Sequence, residues 1–402
     1  MTVSFKKSEK FNLYDICFVL SAMAMVAILL ALPYEKTKMI SLGTYVIAGC
    51  SGLMIAKYLL KYKLETATQG VLLLVLAAVC AMAIVLSPSN IRQSLIKAVC
   101  FLEIPVFMLC GKELSSKRAA ESFLWCQYLL SFYYLYLSFS DKAYLYEGPY
   151  EVIEREELTL SYHNPNEAAI YLTCCFLTMM IGMAFYKKIG LKFLFGASGA
   201  WTLYLVNLTR SRAGIIASLI AIVFFVFHKR VKIKKDSTRI ALAMPFVMAI
   251  LIYFFNEKLV EFKVLGESAE TGRKAVFDQV FEVLDFSEIF TGDFGVFAFD
   301  NLHNVYVSVF ATIGILGLFF YILYFANVLD SVAEKKLSKI YNKFAYIGVV
   351  VLLSYSSVEA TIFTGGSAFA MCFMSIFVFC TFDLQQTEDA DKEISYVKGR
   401  KG

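Results

Sequence analysis

Apolar runs of roughly 17–22 residues recur from one end of the chain to the other, each long enough at about 1.5 Å per residue to cross a bilayer's hydrocarbon core as a helix. They begin near Leu13, Ile40, Gly70, Leu95, Ala120, Glu167, Leu191, Ala213, Ile240, Asn304, Tyr341 and Gly366. Over 402 residues, 59% are hydrophobic and 18% charged, which is too apolar for a soluble domain of this size. The pattern predicts an all-α integral membrane protein of about twelve transmembrane helices. No internal repeat and no Pro/Ser/Gly linker divides the chain, so residues 1–402 are expected to form a single polytopic domain.

The first run, residues 13–32, follows Lys6, Lys7 and Lys10 but lacks a short apolar core and a small-residue cleavage site. It therefore reads as a retained helix and not as a signal peptide. The ten cysteines fall inside or at the ends of the runs, without the loop spacing of a metal site or a disulfide framework. They read as small apolar packing residues.

Lysine and arginine set the orientation. With a cytoplasmic N-terminus and alternating helices, most of the 38 basic residues fall on inner segments, the densest being "HKRVKIKKDSTR". Both termini are then cytoplasmic, the second as a tail over residues 383–402. Two acidic outer segments result: a loop at 140–166 and a larger one at 256–303 that carries an amphipathic helix. The stretch "NLTRSRAG", with Arg210 and Arg212, lies on the outer face because the basic anchor follows the next run.

Four polar clusters share that face. "SYHNPNE" opens the sixth run with His163, Asn164 and Asn166, and either Asn suits a helix cap after Pro165 ends the extended segment. "TRSRAG" opens the eighth run, where Thr209 or Ser211 suits a cap and the helix start is a natural anion site. In "TGRKAVFDQVFEVL", Val276, Phe277, Val280, Phe281 and Leu284 follow helical spacing, and Arg273 shares their stripe. "FDNLHNVYVSVF" places His303 and Asn304 at the entrance of the tenth run.

Each cluster has a plain structural reading. Interfacial arginines snorkel to lipid headgroups, and asparagine or histidine at a helix entrance caps it. Their convergence on one face favours chemistry instead: several guanidinium groups for anionic oxygens and a histidine for a proton near neutral pH. That set suits transfer from a diphosphate leaving group carried on a lipid, because an outward-facing enzyme has no access to cytoplasmic nucleotide sugars. The outer segments hold no Asp-x-Asp pair, so guanidinium groups would take the place of a metal ion. No metal, cofactor or nucleic acid is expected.

The order of these motifs resembles the O-antigen ligase and Wzy-type polysaccharide polymerase superfamily. The residues that carry the resemblance are His163, Asn164, Pro165 and Asn166; Thr209, Ser211 and Arg212; Gly272 and Arg273; Gly292 and Gly295; and His303, Asn304 and Tyr306. It covers about residues 161–320, whereas the first 150 residues match only as generic membrane helices.

The resemblance implies a GT-C-like glycosyltransferase architecture in the bacterial cytoplasmic membrane, with the active site on the extracytoplasmic face. It implies a metal-independent, inverting reaction whose donor and acceptor are undecaprenyl-diphosphate-linked glycans. By the same resemblance, Arg212 and Arg273 bind the diphosphate, and His303 activates the acceptor hydroxyl. Arg210, which departs from the family pattern, is a further phosphate ligand. Asn304, Tyr306, His163, Asn164 and Asn166 orient the substrates. A chain-length regulator and a flippase of the same pathway are implied partners, alongside membrane lipids.

The motifs do not separate a polymerase from a ligase; a repeat-unit polymerase for capsule, exopolysaccharide or O-antigen is the expected reading because it occurs in organisms with or without an outer membrane. The alternatives are an O-antigen ligase, which has similar catalytic parts, and a polysaccharide exporter or flippase. A transporter needs polar residues along a path through the midplane. Lys97 and Glu121 are the clearest exceptions to the apolar mid-helix positions.

Overall fold

The computed structural model describes residues 11–34, 36–61, 68–86, 91–147, 152–154, 157–160, 162, 165–230, 233–261, 263–264, 267–268, 272–297, 302–334, 337, 339–359 and 366–382. The cytoplasmic tail expected at 383–402 lies outside them, as do His163 and Asn164.

The described residues are mainly helical. In order it forms α1 (Leu13–Ala31), α2 (Thr37–Lys61), α3 (Thr68–Leu86), α4 (Ile91–Cys110), α5 (Lys117–Leu137), α6 (Pro165–Phe185), α7 (Ile189–Leu208) and α8 (Arg212–Val226). There follow α9 (Lys235–Phe254), α10 (Asn256–Glu261), α11 (Arg273–Val283), α12 (Glu288–Thr291), α13 (Phe294–Phe297), α14 (Val305–Glu334), α15 (Ile340–Tyr355) and α16 (Gly366–Thr381). Two small antiparallel ladders interrupt the loops: β1 (Leu145–Glu147) with β2 (Val152–Glu154), and β3 (Lys263–Val264) with β4 (Glu267–Ser268).

Each of the twelve apolar runs lies on a helix. Among the described residues, 8 helices are long and apolar enough to cross a membrane: α1 to α4, α6, α7, α9 and α14. The apolar helices α8, α15 and α16 are shorter, at 15, 16 and 16 residues. α5 is long enough but opens on Lys117, Arg118 and Glu121.

α6, α15 and α16 form the centre of the bundle. Every residue of α16 from Ser367 to Cys380 is buried, including Phe369, Phe373 and Phe377. α2 and α9 lie at the periphery, with apolar side chains such as Leu42, Leu53, Phe246 and Phe254 exposed on the protein surface. In a bilayer such faces meet lipid tails, so their exposure costs nothing there. The ten cysteines are all free, and nine are buried among these helices.

Polar side chains tie the helix ends together where backbone groups have no partner within the helix. Asn12 caps α1 and Asp15 returns the bond to the Asn12 backbone, a reciprocal capping pair. The same Asp15 accepts from the backbone N–H groups of Ser115 and Ser116, at 3.0 and 2.9 Å, and so pins α1 to the start of α5. Lys61 reaches Glu113 at 2.6 Å, and Lys235 pairs with Glu334.

α14 is broken. Ile313 (φ −130°, ψ 16°) and Gly314 (φ 67°) leave the helical region, and the segment from Phe290 to Asp293 crosses the chain there. A Cβ on Gly314 would lie 2.2 Å from the Phe290 carbonyl oxygen; one on Gly292 would lie 2.3 Å from the Thr312 carbonyl carbon. Only glycine at both positions lets the two backbones meet. The Asp293 N–H donates to the Ala311 carbonyl at 2.8 Å, supplying a bond that the broken helix lacks. The larger loop is thus docked against the transmembrane bundle.

Candidate functional site

The site is built where α6 begins, α8 begins, α14 begins and α15 ends. Asn166, the second residue of α6, is the hub. Its side-chain oxygen accepts from the Ser211 hydroxyl at 2.7 Å, and its backbone carbonyl accepts from the Tyr355 hydroxyl at 3.3 Å. The expected capping role therefore does not hold for Asn166: Pro165 already occupies the first helical position, where its missing N–H costs nothing. Asn166 instead joins three helices.

Ser211 is the cap of α8, accepting from the Gly214 N–H at 3.3 Å. Thr209 serves the turn before it, accepting from the Ser211 N–H at 3.2 Å and donating to the Val206 carbonyl at 2.7 Å. Arg210 and Arg212 flank this cap. Arg210 is exposed, and its backbone is left-handed at φ 52°; Arg212 is half-buried as the first residue of α8. The helix start adds its own partial positive charge to the two guanidinium groups.

Arg273 opens α11 directly after Gly272, whose φ of 86° makes the turn. Phe277 and Val280 are buried on the same helix, one and two turns on, and Arg273 is half-buried on their stripe. The expected amphipathic helix is present, except that Phe281 is exposed and Thr271 lies outside the described residues. Arg273 lies within electrostatic range of Tyr355.

His303 precedes α14 with a left-handed backbone, φ 55°. Its Nδ1 lies 3.5 Å from a carboxylate oxygen of Glu359, which is 2% exposed. That separation is longer than a typical hydrogen bond and within ion-pair range. Glu359 also lies within electrostatic range of Tyr355, so the histidine, the carboxylate, Tyr355 and Arg273 share one neighbourhood.

Asn304 and Tyr306 have a different place from the one expected. Asn304 is fully buried and donates to the backbone carbonyls of Pro245 and Ser357, at 2.8 and 2.9 Å. Its oxygen accepts from the N–H groups of Tyr306 and Val307, which makes it the cap of α14. The Tyr306 hydroxyl donates to the Leu242 carbonyl at 2.5 Å from a buried position. Both residues clamp α14 to α9 and to the turn after α15. They hold the backbone that carries His303, and their polar groups are spent on that task.

Sequence reasoning missed Glu359. It is the only charged residue between Lys343 and Asp383, and a lone carboxylate in so long an uncharged stretch was the available signal. It missed Glu103 in the same way. Glu103 is fully buried on α4, with one oxygen accepting from the Ser367 hydroxyl at 2.9 Å. By contrast Glu121 pairs with Lys117 at 3.8 Å in the first turns of α5, so it belongs to a helix end and not to a mid-helix position. Lys97 is half-buried on α4.

Set against family models, curated proteins and solved structures, the chain gives no match in any of the three comparisons.

Proposed function

We propose that the protein is a polymerase that joins undecaprenyl-diphosphate-linked oligosaccharide repeat units on the outer face of the bacterial cytoplasmic membrane. In this reading all twelve apolar helices span the bilayer, both termini are cytoplasmic and the architecture is GT-C-like. The observation that carries it is His303 Nδ1 at 3.5 Å from buried Glu359, with Arg273 within electrostatic range of Tyr355 beside them.

Arg212 and Arg273, with Arg210, grip the donor diphosphate through forked guanidinium contacts. His303 accepts the proton of an acceptor sugar hydroxyl, whose oxygen attacks the donor's anomeric carbon from the face opposite the diphosphate. The bond from that carbon to the diphosphate oxygen breaks, its electron pair leaves with the diphosphate, and the configuration inverts. Glu359 stabilises the imidazolium as it forms, and the arginines stabilise the negative charge gathering on the leaving group.

The test is elongation by purified protein in proteoliposomes, supplied with lipid-linked repeat units extracted from cells deleted for the gene. Ladders of two or more repeats, formed in the presence of a metal chelator, are expected. Failure to elongate, with transfer to a different terminal acceptor, would make the protein a ligase. An exporter or flippase is the second reading, favoured by the buried carboxylate of Glu103 within the bundle; repeat units crossing the bilayer unchanged would support it.

A further inference from the structure

α15 is packed by α6, α8, α9 and α16, and nearly all of its residues are buried. Apart from Ile340, exposed at the start of the helix, the exceptions are Lys343, Val350 and Ser354, which are half-buried. Their spacing of seven and then four residues puts them on one line along the helix, at about 100° per residue.

The direction of that line follows from its neighbours. Phe344 points to α8, where its ring stacks on Phe225 with centroids 4.4 Å apart. Tyr346 points to α9, its hydroxyl hydrogen-bonded to Thr238, and Leu353 lines a cavity with Leu242 and Pro245 of α9. At about 100° per residue, the line from Lys343 to Ser354 falls between these two directions. α8 and α9 both pack on α15 yet scarcely touch each other. A slot therefore runs between them, with Val350 and Ser354 as its floor.

The floor is apolar in effect, because the Ser354 hydroxyl donates to the Val350 carbonyl at 3.0 Å and presents no free donor. α8 and α9 also expose apolar side chains on the protein surface, among them Leu219 and Val223 of α8 and Met244 and Val247 of α9. Its upper end leads to Tyr355, the residue that meets Asn166 and lies within range of Arg273 and Glu359. Phe225, Phe344 and His228 gather on the α8 side at the other end, with ring centroids 4.4 and 5.4 Å apart.

We propose that this slot between α8 and α9 holds the polyprenyl chain of a lipid diphosphate. The chain enters from the bilayer and its head group stops at the arginines. The inference rests on the function proposed above for its head group, and it adds the path of the tail. A slot apolar at Val350 and Ser354 and ending at a cationic mouth matches a single linear, methyl-substituted isoprenoid chain carrying a diphosphate.

Two experiments test it. The first compares elongation of a full-length polyprenyl substrate with that of a ten-carbon analogue, in wild type and Val350→Phe. The substituted ring projects from a half-buried position into the slot and needs no room in the core. The KM of the long-chain substrate is expected to rise by about tenfold, the affinity of roughly two buried methylene groups, while the short-chain KM is unchanged. Equal effects on both substrates, or none on either, would overturn the proposal.

The second uses a polyprenyl diphosphate with a photoreactive diazirine in its chain. Adducts are expected on α8, α9 and α15 residues around the slot, and are lost in Val350→Phe. Adducts spread over the whole lipid-facing surface, or formed equally by a phospholipid with a diazirine acyl chain, would overturn it. Slot adducts in a protein that fails to elongate glycan would refute the polymerase reading and leave the lipid slot standing.

Discussion

Replacing Glu359 by Gln removes one negative charge from beside His303 and leaves shape and volume nearly unchanged. Glu359 is 2% exposed, so no water takes over its task, and its oxygen stands 3.5 Å from Nδ1 of His303. A contact to an ionised partner in such a place contributes about 1.5–3 kcal/mol. The imidazole becomes charged only as it takes the acceptor's proton, so the loss falls on the transition state. At about 1.4 kcal/mol per decade, kcat is expected to drop roughly 10- to 100-fold with KM little changed. The assay is the initial rate of elongation of lipid-linked repeat units in proteoliposomes, with protein yield and unfolding temperature as controls for folding. Wild-type kcat in Glu359→Gln would refute the carboxylate's part in the mechanism. A change confined to KM would make Glu359 a substrate contact instead.

Arg212→Lys keeps the charge but loses the fork that grips phosphate, so elongation is expected to fail while the protein stays in the membrane; unchanged elongation would return Arg212 to headgroup anchoring. Asn304→Ala strips the α14 cap and leaves two buried carbonyl contacts unmade, which is expected to cost about 2–4 kcal/mol in thermal unfolding of the purified protein. Wild-type unfolding in that variant would contradict the clamp assigned to Asn304. Gly314→Ala places a Cβ 2.2 Å from the Phe290 carbonyl oxygen, where only backbone can yield. Limited proteolysis should then cut the loop around Phe290 far faster than in wild type, and an unchanged rate would contradict the docking of that loop on the α14 break.

The helices were legible because apolar runs of membrane-spanning length leave few alternatives to a helix. The polar clusters were legible because Ser211 and the residues opening α14 carry cap chemistry in their side chains. Three features needed coordinates. Glu359 sits 56 positions after His303 in the sequence, and no local pattern links them. Asn304 and Tyr306 look like site residues in sequence because they adjoin His303; their bonds to Pro245 and Leu242 depend on how α9 packs. The break in α14 is hidden because an apolar stretch through Ile313 and Gly314 reads as uninterrupted helix, and the crossing at Gly292 is a tertiary fact.

The most direct measurement is the size distribution of surface polysaccharide and lipid-linked glycan in cells deleted for the gene and complemented with wild type or His303→Ala. The account predicts single lipid-linked repeat units accumulating in the deletion, rescue by wild type, and no rescue by a His303→Ala protein present at normal level. Normal chain lengths with His303→Ala would contradict the central claim that this histidine, set against Glu359, carries the proton in glycan transfer.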